Sequence, residues 1–237
     1  MEVQTSAIVL SSLKYGDTGL IIRCYTERFG AKSFILKNAF SGKNKKASLF
    51  TTLNRIKIIY EDKNGNHLAY LKQFEAEAYY GSLYSQPLKM AVVFFLGETL
   101  NGVLKEEEPN PSLFGFISEK LNEFDSLKSN YADFHLWFLM NFTRFLGFYP
   151  HFSDDLPYFD LVNGTSTNNL NSGFEIGGTD LNLFKRLVSL DFPPMENRSF
   201  NQTQRRRALD IMIQYYELHI ADFRRPKSLD VLHQLFE

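Results

Sequence analysis

Residues 20–26 read LIIRCYT, residues 27–30 read ERFG, and residues 31–36 read AKSFIL. Within the first stretch Leu20, Ile22 and Cys24 fall on one face of an extended chain, which is the two-residue period of a strand. The ERFG segment ends in glycine, a residue that favours a tight turn. These seventeen residues therefore predict a β-hairpin and, with it, a β-domain at the front of the chain.

Further strands are predicted on both sides of this hairpin, at residues 5–14, 53–60 and 67–76. The last two are separated by KNGN at 63–66, which contains the Asn-Gly pair typical of hairpin turns. Five short strands with turns between them are typical of a small closed barrel. The OB-fold is the five-stranded option, and an SH3-like barrel would give a similar pattern.

The hydrophobic period changes to that of helices after about residue 80. Helices are predicted at residues 88–105, 111–124, 130–146, 179–190 and 201–222, and from 228 onward. The expected N-caps are Asn130, Thr179, Asn201 or Thr203, and Ser228. We therefore predict an α+β chain: an N-terminal five-stranded OB-fold barrel (1–79) followed by an all-α C-terminal domain (80–237). The latter carries an irregular loop insertion at 148–178, with strand signals at 158–162 and 173–176.

The composition is that of a soluble globular protein, with 44% hydrophobic and 22% charged residues among 237. No apolar run is as long as the ~18 residues that a membrane span needs. The N-terminus has no signal-peptide pattern. Cys24 is the single cysteine, which excludes an intrachain disulfide and a cysteine-rich zinc site. We expect a cytoplasmic protein without membrane contact.

The charge is unevenly distributed along the chain. Residues 1–75 hold twelve Lys and Arg against six Asp and Glu, a balance of +6, although the whole chain has a net charge of -1. A basic loop, KNAFSGKNKK at 37–46, carries four lysines and no carboxylate. The candidate DNA-binding residues are Arg23, Lys32, Arg55 and Lys57 on strands and Lys37, Lys43, Lys45 and Lys46 on the loop. Such asymmetry indicates a polyanionic partner for the front half.

Cations and aromatic rings on one barrel face are typical of single-strand binders, in which charges follow the phosphates and rings stack on bases. The predicted rings are those of Tyr25 and Phe34. Binding of this kind weakens steeply with salt because counterions are released. The alternative is a barrel whose lysines only discourage strand-to-strand aggregation.

A second basic cluster is Arg205-Arg206-Arg207. Cations in the first turn of a helix oppose the helix dipole, so they indicate a partner outside the helix. That partner is either DNA or an acidic protein, or it is one of the many carboxylates of the rear half.

The chain shows no catalytic arrangement: it has no phosphate-binding loop, no dinucleotide fingerprint and no nucleophile elbow. His151 with Asp154, Asp155 and Asp160 resembles a metal site, but an Asp-rich loop is more often a solvated turn. Cys24 is expected to be buried, and His219 is expected in the core. We predict no catalytic residue, no metal and no cofactor, and a metal-dependent hydrolase is the least favoured class.

Several landmarks resemble the bacterial RecO family of recombination mediators, in the order that family shows over nearly the whole chain. They are AIVL at 7–10, YGD at 15–17, TERFG at 26–30, the basic loop, EEP at 107–109, LGFYP at 146–150 and PKS at 226–228. The resemblance implies an OB-fold joined to a helical domain and a non-catalytic role in DNA repair.

The resemblance also implies partners. RecO proteins bind single- and double-stranded DNA, anneal complementary strands, and act with RecR to load RecA onto DNA coated by single-strand-binding protein (SSB). They also bind the acidic, hydrophobic C-terminal tail of SSB. A bacterial, nucleoid-associated protein is implied. The alternative is an RNA- or protein-binding OB-fold module unrelated to repair.

One departure from the family pattern concerns zinc. Many members carry four cysteines after the Gly-Phe-x-Pro landmark, and here residues 151–178 contain none. The resemblance therefore implies a zinc-free member, in which Phe152, Tyr158, Phe159 and Phe174 replace the metal's contribution to folding.

Overall fold

The structure is a computed structural model that describes residues 2–40, 46–62, 68–153, 155–192 and 200–235, with the side chain of Lys46 left out. The chain forms two compact units. The first comprises Met1–Ser126 with Pro226–Ser228, and the second comprises Leu127–Arg225 with Leu229–Glu237.

The N-terminal part of the first unit is a closed barrel of five strands. They are β1 (Glu2–Tyr15), β2 (Gly19–Thr26), β3 (Gly30–Leu36), β4 (Arg55–Glu61) and β5 (Leu68–Ala76). The strand order is β1-β2-β3-β5-β4, with β4 returning to β1. β3 and β5 are parallel, whereas the other neighbouring strands are antiparallel. The predicted five-stranded OB-fold barrel is confirmed.

Alternate side chains of each strand fill the barrel. Ile22, Cys24 and Phe34 are fully buried. The ring centroids of Phe34 and Tyr60 lie 5.0 Å apart in this core. Burial raises the pKa of the Cys24 thiol, so the group stays protonated and acts as a small apolar side chain. The prediction of a buried cysteine is confirmed.

Two helices complete the first unit, α1 (Pro87–Val103) and α2 (Pro111–Ser126). The Asp125 carboxylate accepts the backbone N–H groups of Gly81, Ser82 and Leu83 at 2.9, 2.7 and 2.9 Å. The buried Lys89 ammonium donates to Ser82 Oγ at 2.7 Å and to the Asp125 carbonyl at 2.9 Å. These bonds fix the segment that leads from the barrel into α1 against the end of α2.

The loop between α1 and α2 lies on the start of β3. The Ala31 N–H donates to the Glu106 carbonyl at 2.9 Å. Gly30 has φ +61, and a Cβ built on it would lie 2.5 Å from the carbonyl oxygens of both Glu106 and Glu108. Only glycine permits both this backbone conformation and this close approach.

The second unit is mostly helical. Its helices are α3 (Phe134–Leu146), α4 (Gly178–Val188), α5 (Gln202–His219) and most of α6 (Ser228–Leu235). Asn201 caps α5 with a reciprocal bond to Gln204, as predicted. Two predicted caps are wrong. α3 begins four residues after Asn130, which has φ +57 and lies in a turn, and the N-cap of α4 is Gly177 instead of Thr179.

The irregular insertion contains a small three-stranded sheet. β6 (Tyr158–Asp160) lies between β7 (Thr165–Thr167) and β8 (Glu175–Gly177). β6 and β8 overlap the strand signals in the sequence. β7 had no apolar alternation and was missed, because three residues of Thr and Ser carry too little pattern.

Aromatic packing holds this insertion. The ring centroid of Phe159 lies 4.6 Å from that of Phe152 and 5.3 Å from that of Phe184. The ring centroids of Phe184 and Tyr215 lie 5.4 Å apart. Phe152 and Phe159 thus pack as predicted. Phe174 does not, since it is 41% exposed.

Replacing Gly30 with alanine should lower the free energy of unfolding by about 2 kcal/mol or more, because the new Cβ meets two carbonyl oxygens at a positive φ. Gly102→Ala is the control, since a Cβ there meets nothing within 4 Å. It should be neutral or stabilise α1 by about 0.5–1 kcal/mol. Urea titrations that gave equal midpoints for the two variants would contradict the packing of the loop on β3.

Candidate nucleic-acid interface

A row of side chains crosses the outer face of the barrel over four neighbouring strands. Leu13 pairs with Ile21, Ile21 pairs with Ile35, and Ile35 pairs with Tyr70. Residues paired directly across strands lie on the same side of a sheet. The neighbours of these residues along β2 and β3 point into the core, so the four side chains point outward. We call Leu13, Ile21, Ile35 and Tyr70 the apolar row.

The apolar row is open to solvent. Leu13 is 70% exposed and Tyr70 is 47% exposed. Tyr15, two residues beyond Leu13 on β1, is 56% exposed. Contiguous apolar and aromatic surface of this kind marks an interaction site more often than isolated exposed residues do.

A groove with a cationic wall adjoins the apolar row. Its lining residues are Tyr15, Asp17, Thr18, Gly19, Ile35, Lys37, Asn38 and Tyr70. The Lys37 ammonium lies 4.7 Å from the ring centroid of Tyr70, within the range of a cation–π interaction. Lys14 is exposed on β1, but it pairs with the inward-pointing Leu20 and therefore lies on the other side of the strand from Leu13 and Tyr15. The groove therefore combines two phenol rings with positive charge, and Asp17 is its one carboxylate among the lining residues.

The basic loop leaves the barrel beside this groove. Ala39 is buried in the barrel core, and the Phe40 N–H donates to the Thr18 carbonyl at 3.3 Å. Phe40 itself is 50% exposed. The predicted contacts Lys43, Lys45 and the side chain of Lys46 lie outside the described residues.

Two other predicted cations have structural contacts in the barrel. The guanidinium of Arg23, on the outer face of β2, donates to the Leu104 carbonyl at 2.8 Å. Lys32 pairs with the inward-pointing Cys24, and its ammonium lies 5.9 and 5.8 Å from the ring centroids of Phe29 and Tyr60. Arg23 therefore borders the apolar row, whereas Lys32 lies on the inner side of β3.

Arg55 and Lys57 lie on a different part of the barrel. β4 pairs with β1 and β5 and has no pairing with β2 or β3. The Nε atom of Arg55 lies 3.8 Å from Oε2 of Glu77. Lys57 lies directly opposite Glu75 on the neighbouring strand β5. Arg55 and Lys57 therefore lie on a strand that is not adjacent to β2 or β3, and their contact with DNA stays a prediction.

The predicted stacking rings are wrong. Phe34 is fully buried in the barrel core, and Tyr25 is 3% exposed with its ring 6.4 Å from that of Phe114 on α2. Sequence reasoning missed Tyr15 and Tyr70. The alternation Ala69-Tyr70-Leu71 carried a signal for Tyr70, because its two neighbours are buried. Tyr15 could not be placed, because a bulge between Val9 and Ser11 shifts the register.

The arginine cluster of α5 is largely engaged within the second unit. Arg205 is buried; its Nε contacts Asp133 Oδ1 at 2.6 Å and its Nη2 donates to the Phe200 carbonyl at 2.8 Å. Arg207 forms a bidentate pair with Asp180 at 3.0 and 2.5 Å. The reading that carboxylates of the rear half pair with this cluster is thus confirmed for Arg205 and Arg207. Arg206 is exposed.

Arg206 lines a small cavity between α3, α5 and α6 of the second unit. The other lining residues are His135, Gln202, Arg205, Leu209, Leu232 and His233. Burial lowers the pKa of His135 to about 3 and lowers that of His233 as well. Arg205 is paired with Asp133, so the positive charge that this mostly apolar cavity offers to a ligand is that of Arg206.

The Asp-rich loop behaves as a turn. Burial raises the pKa of Asp160, but hydrogen bonds from Asn163, Val162 and Ser172 outweigh it and leave the pKa below its ordinary value. His151 is exposed, and Asp154 lies outside the described residues. His219 is partly buried and has a hydrogen-bond partner: its ring centroid lies 4.9 Å from that of Phe148, and its Nε2 lies 2.8 Å from the Leu161 carbonyl oxygen. Across the described ranges, no three His, Cys, Asp or Glu side chains form a group able to hold a metal.

Within the same ranges, we find no helix whose length and hydropathy would allow it to cross a membrane.

Comparison with known proteins places this arrangement in a family. The model for the recombination protein O N-terminal region matches residues 1–80, and that for the C-terminal region matches residues 84–230. The chain is 39% identical to DNA repair protein RecO of Christiangramia forsetii and 34% identical to that of Flavobacterium psychrophilum, over the full length of both chains in each case. It is 35% identical to DNA repair protein RecO of Bacteroides fragilis, over 99% of each chain.

Proposed function

The chain belongs to the RecO family of DNA repair proteins, and we propose that it binds a single DNA strand across the apolar row. The observation that carries this proposal is the continuous pairing of Leu13, Ile21, Ile35 and Tyr70 on the outer face of the barrel. Base faces are flat and apolar, so they match a row of aliphatic and aromatic side chains.

The charges around the row suit the phosphates. Lys37 lies at the edge of the row, with its ammonium 4.7 Å from the ring centroid of Tyr70, and the sequence of the basic loop adds three further lysines. Stacking on an aromatic ring is worth ~1–3 kcal/mol per base. Counterion release at each lysine adds an affinity that falls with salt. Rings and cations together therefore hold one strand without reading its sequence.

Annealing follows from this mode of binding. Bases whose faces rest on Tyr15 and Tyr70 keep their pairing edges open to a second strand. Lysines near the row lower the repulsion between the two backbones. The bound strand is thus presented for pairing, and no catalytic group is required.

We assign the protein partners to the helical part of the chain, residues 80–237, and the DNA to residues 1–79. The partners we propose are RecR, the SSB C-terminal tail and, indirectly, RecA on SSB-coated DNA, in the bacterial nucleoid. The cavity beside Arg206 supports the SSB assignment. Leu209 and Leu232 provide an apolar lining, and an arginine is the side chain that best pairs with a carboxylate.

An RNA- or protein-binding OB-fold module unrelated to repair is the alternative. Accelerated annealing of complementary DNA oligonucleotides separates the two functions, because a module that only retains RNA or protein has no reason to pair DNA strands.

We expect the double variant Tyr15→Ala/Tyr70→Ala to bind a labelled single strand at least about tenfold more weakly, because two stacking rings are lost. The dependence of log Kd on log salt should stay unchanged, since no phosphate contact is removed. Lys43→Ala/Lys45→Ala/Lys46→Ala should instead flatten that dependence. Tyr79→Ala, which removes an 88% exposed tyrosine outside the row, is the matched control. Equal affinities for the Tyr15/Tyr70 variant and the control would sink the proposal.

For the cavity, we expect Arg206→Glu to weaken binding of a peptide with the SSB tail sequence by about tenfold, because a charge-assisted contact becomes a repulsion. Arg224→Glu makes the same change of charge at an exposed arginine that does not line the cavity. Isothermal titration of both variants checks this, and equal losses would show that only overall charge matters.

A further inference from the structure

The α1–α2 segment covers one end of the barrel's outer β2–β3 face. Tyr25 of β2 is paired with Ala31 of β3. The ring of Tyr25 is covered by Phe114 at 6.4 Å, and the Ala31 N–H is bonded to the Glu106 carbonyl at 2.9 Å. The α1–α2 segment therefore contacts both residues of this cross-strand pair.

The cover ends before the apolar row begins. The next outward pair is Arg23–Ser33, where the Arg23 guanidinium still reaches the Leu104 carbonyl at 2.8 Å. The pair after that is Ile21–Ile35, which belongs to the row. Four residues separate Ala31 from Ile35, or ~13 Å along an extended strand. The open face is therefore a narrow band between the segment and the end of β3 at Leu36.

The loop that borders this band is acidic. Lys105 through Glu108 are all exposed, and three of the four are glutamates. We call residues 105–109 the acidic loop. Its position is fixed by the Ala31–Glu106 bond and by the close approach to Gly30, in which a Cβ would lie 2.5 Å from two carbonyl oxygens. The backbone of the acidic loop is therefore fixed at one edge of the band, and its exposed glutamates are attached there.

We propose that this segment makes the barrel face selective for single-stranded over duplex DNA. The inference rests on the proposed binding of DNA at the apolar row. The two backbones of a duplex lie on the order of 12 Å apart across the major groove, which is close to the ~13 Å between row and loop. A duplex lying on the row places its second backbone over the acidic loop, whereas a single strand has no second backbone to place there.

The selectivity has a use in annealing. A strand that acquires its complement while bound to the row becomes a duplex with twice the charge per unit length. Both the bulk of α2 at Phe114 and the charge of the acidic loop then act against it. The paired product is therefore held more weakly at this face than the single strand was.

The test is Glu106→Gln/Glu108→Gln, which removes two charges and keeps the side-chain volume. Affinities for a labelled single strand and for the matching duplex are measured at low and high salt. We expect duplex affinity to rise about fivefold at low salt and single-strand affinity to change less than about twofold. The gain should vanish at high salt, because the Debye length falls to roughly 3 Å at 1 M.

Glu119→Gln/Glu123→Gln, on α2, changes the net charge by the same amount and is the control. Equal gains for duplex and single strand, no gain, or a gain shared by the control would each overturn the inference. Failure of this inference alone leaves the effect of Tyr15→Ala/Tyr70→Ala intact. If that tyrosine variant also has no effect, the proposal that DNA binds at the row is wrong, and the proposed selectivity is wrong as well.

Discussion

Side chains on a β-strand alternate between two faces, and in a closed barrel one of those faces must fill the core. Here Ile22, Cys24 and Phe34 point inward and are fully buried. The residues between them therefore have to point outward, whatever their polarity. The register of β1, β2, β3 and β5 then aligns Leu13, Ile21, Ile35 and Tyr70 into one outward row. The candidate binding surface is thus a direct consequence of how the barrel core is built.

The helices define how much of that surface remains open. Phe114 covers Tyr25, and the loop after α1 is bonded to Ala31. Gly30 allows this approach because it has no side chain and adopts a positive φ. A residue that reads as part of a simple turn in the sequence therefore also positions the α1–α2 loop on the outer face.

Local patterns predicted the barrel well, because each of the five alternating strands carries its own signal. The Asn-Gly turn predicted at residues 63–66 lies outside the described residues. The site was harder to predict because it depends on pairing between distant segments. Arg205 looked like an exposed cation until its partner Asp133, 72 positions earlier, was known. Tyr25 looked like a stacking ring because the sequence cannot show that Phe114 covers it. Arg55 and Lys57 were grouped with the lysines of the basic loop because the order of strands around a barrel cannot be read from their order along the chain.

The most direct test of the account is to map where a bound strand touches the barrel. A single-stranded oligonucleotide containing 5-bromouracil can be cross-linked to the full chain by ultraviolet light, and the modified peptides identified by mass spectrometry. The account predicts cross-links at Tyr15 and Tyr70. Cross-links confined to β4, around Arg55 and Lys57, or to the second unit would contradict it.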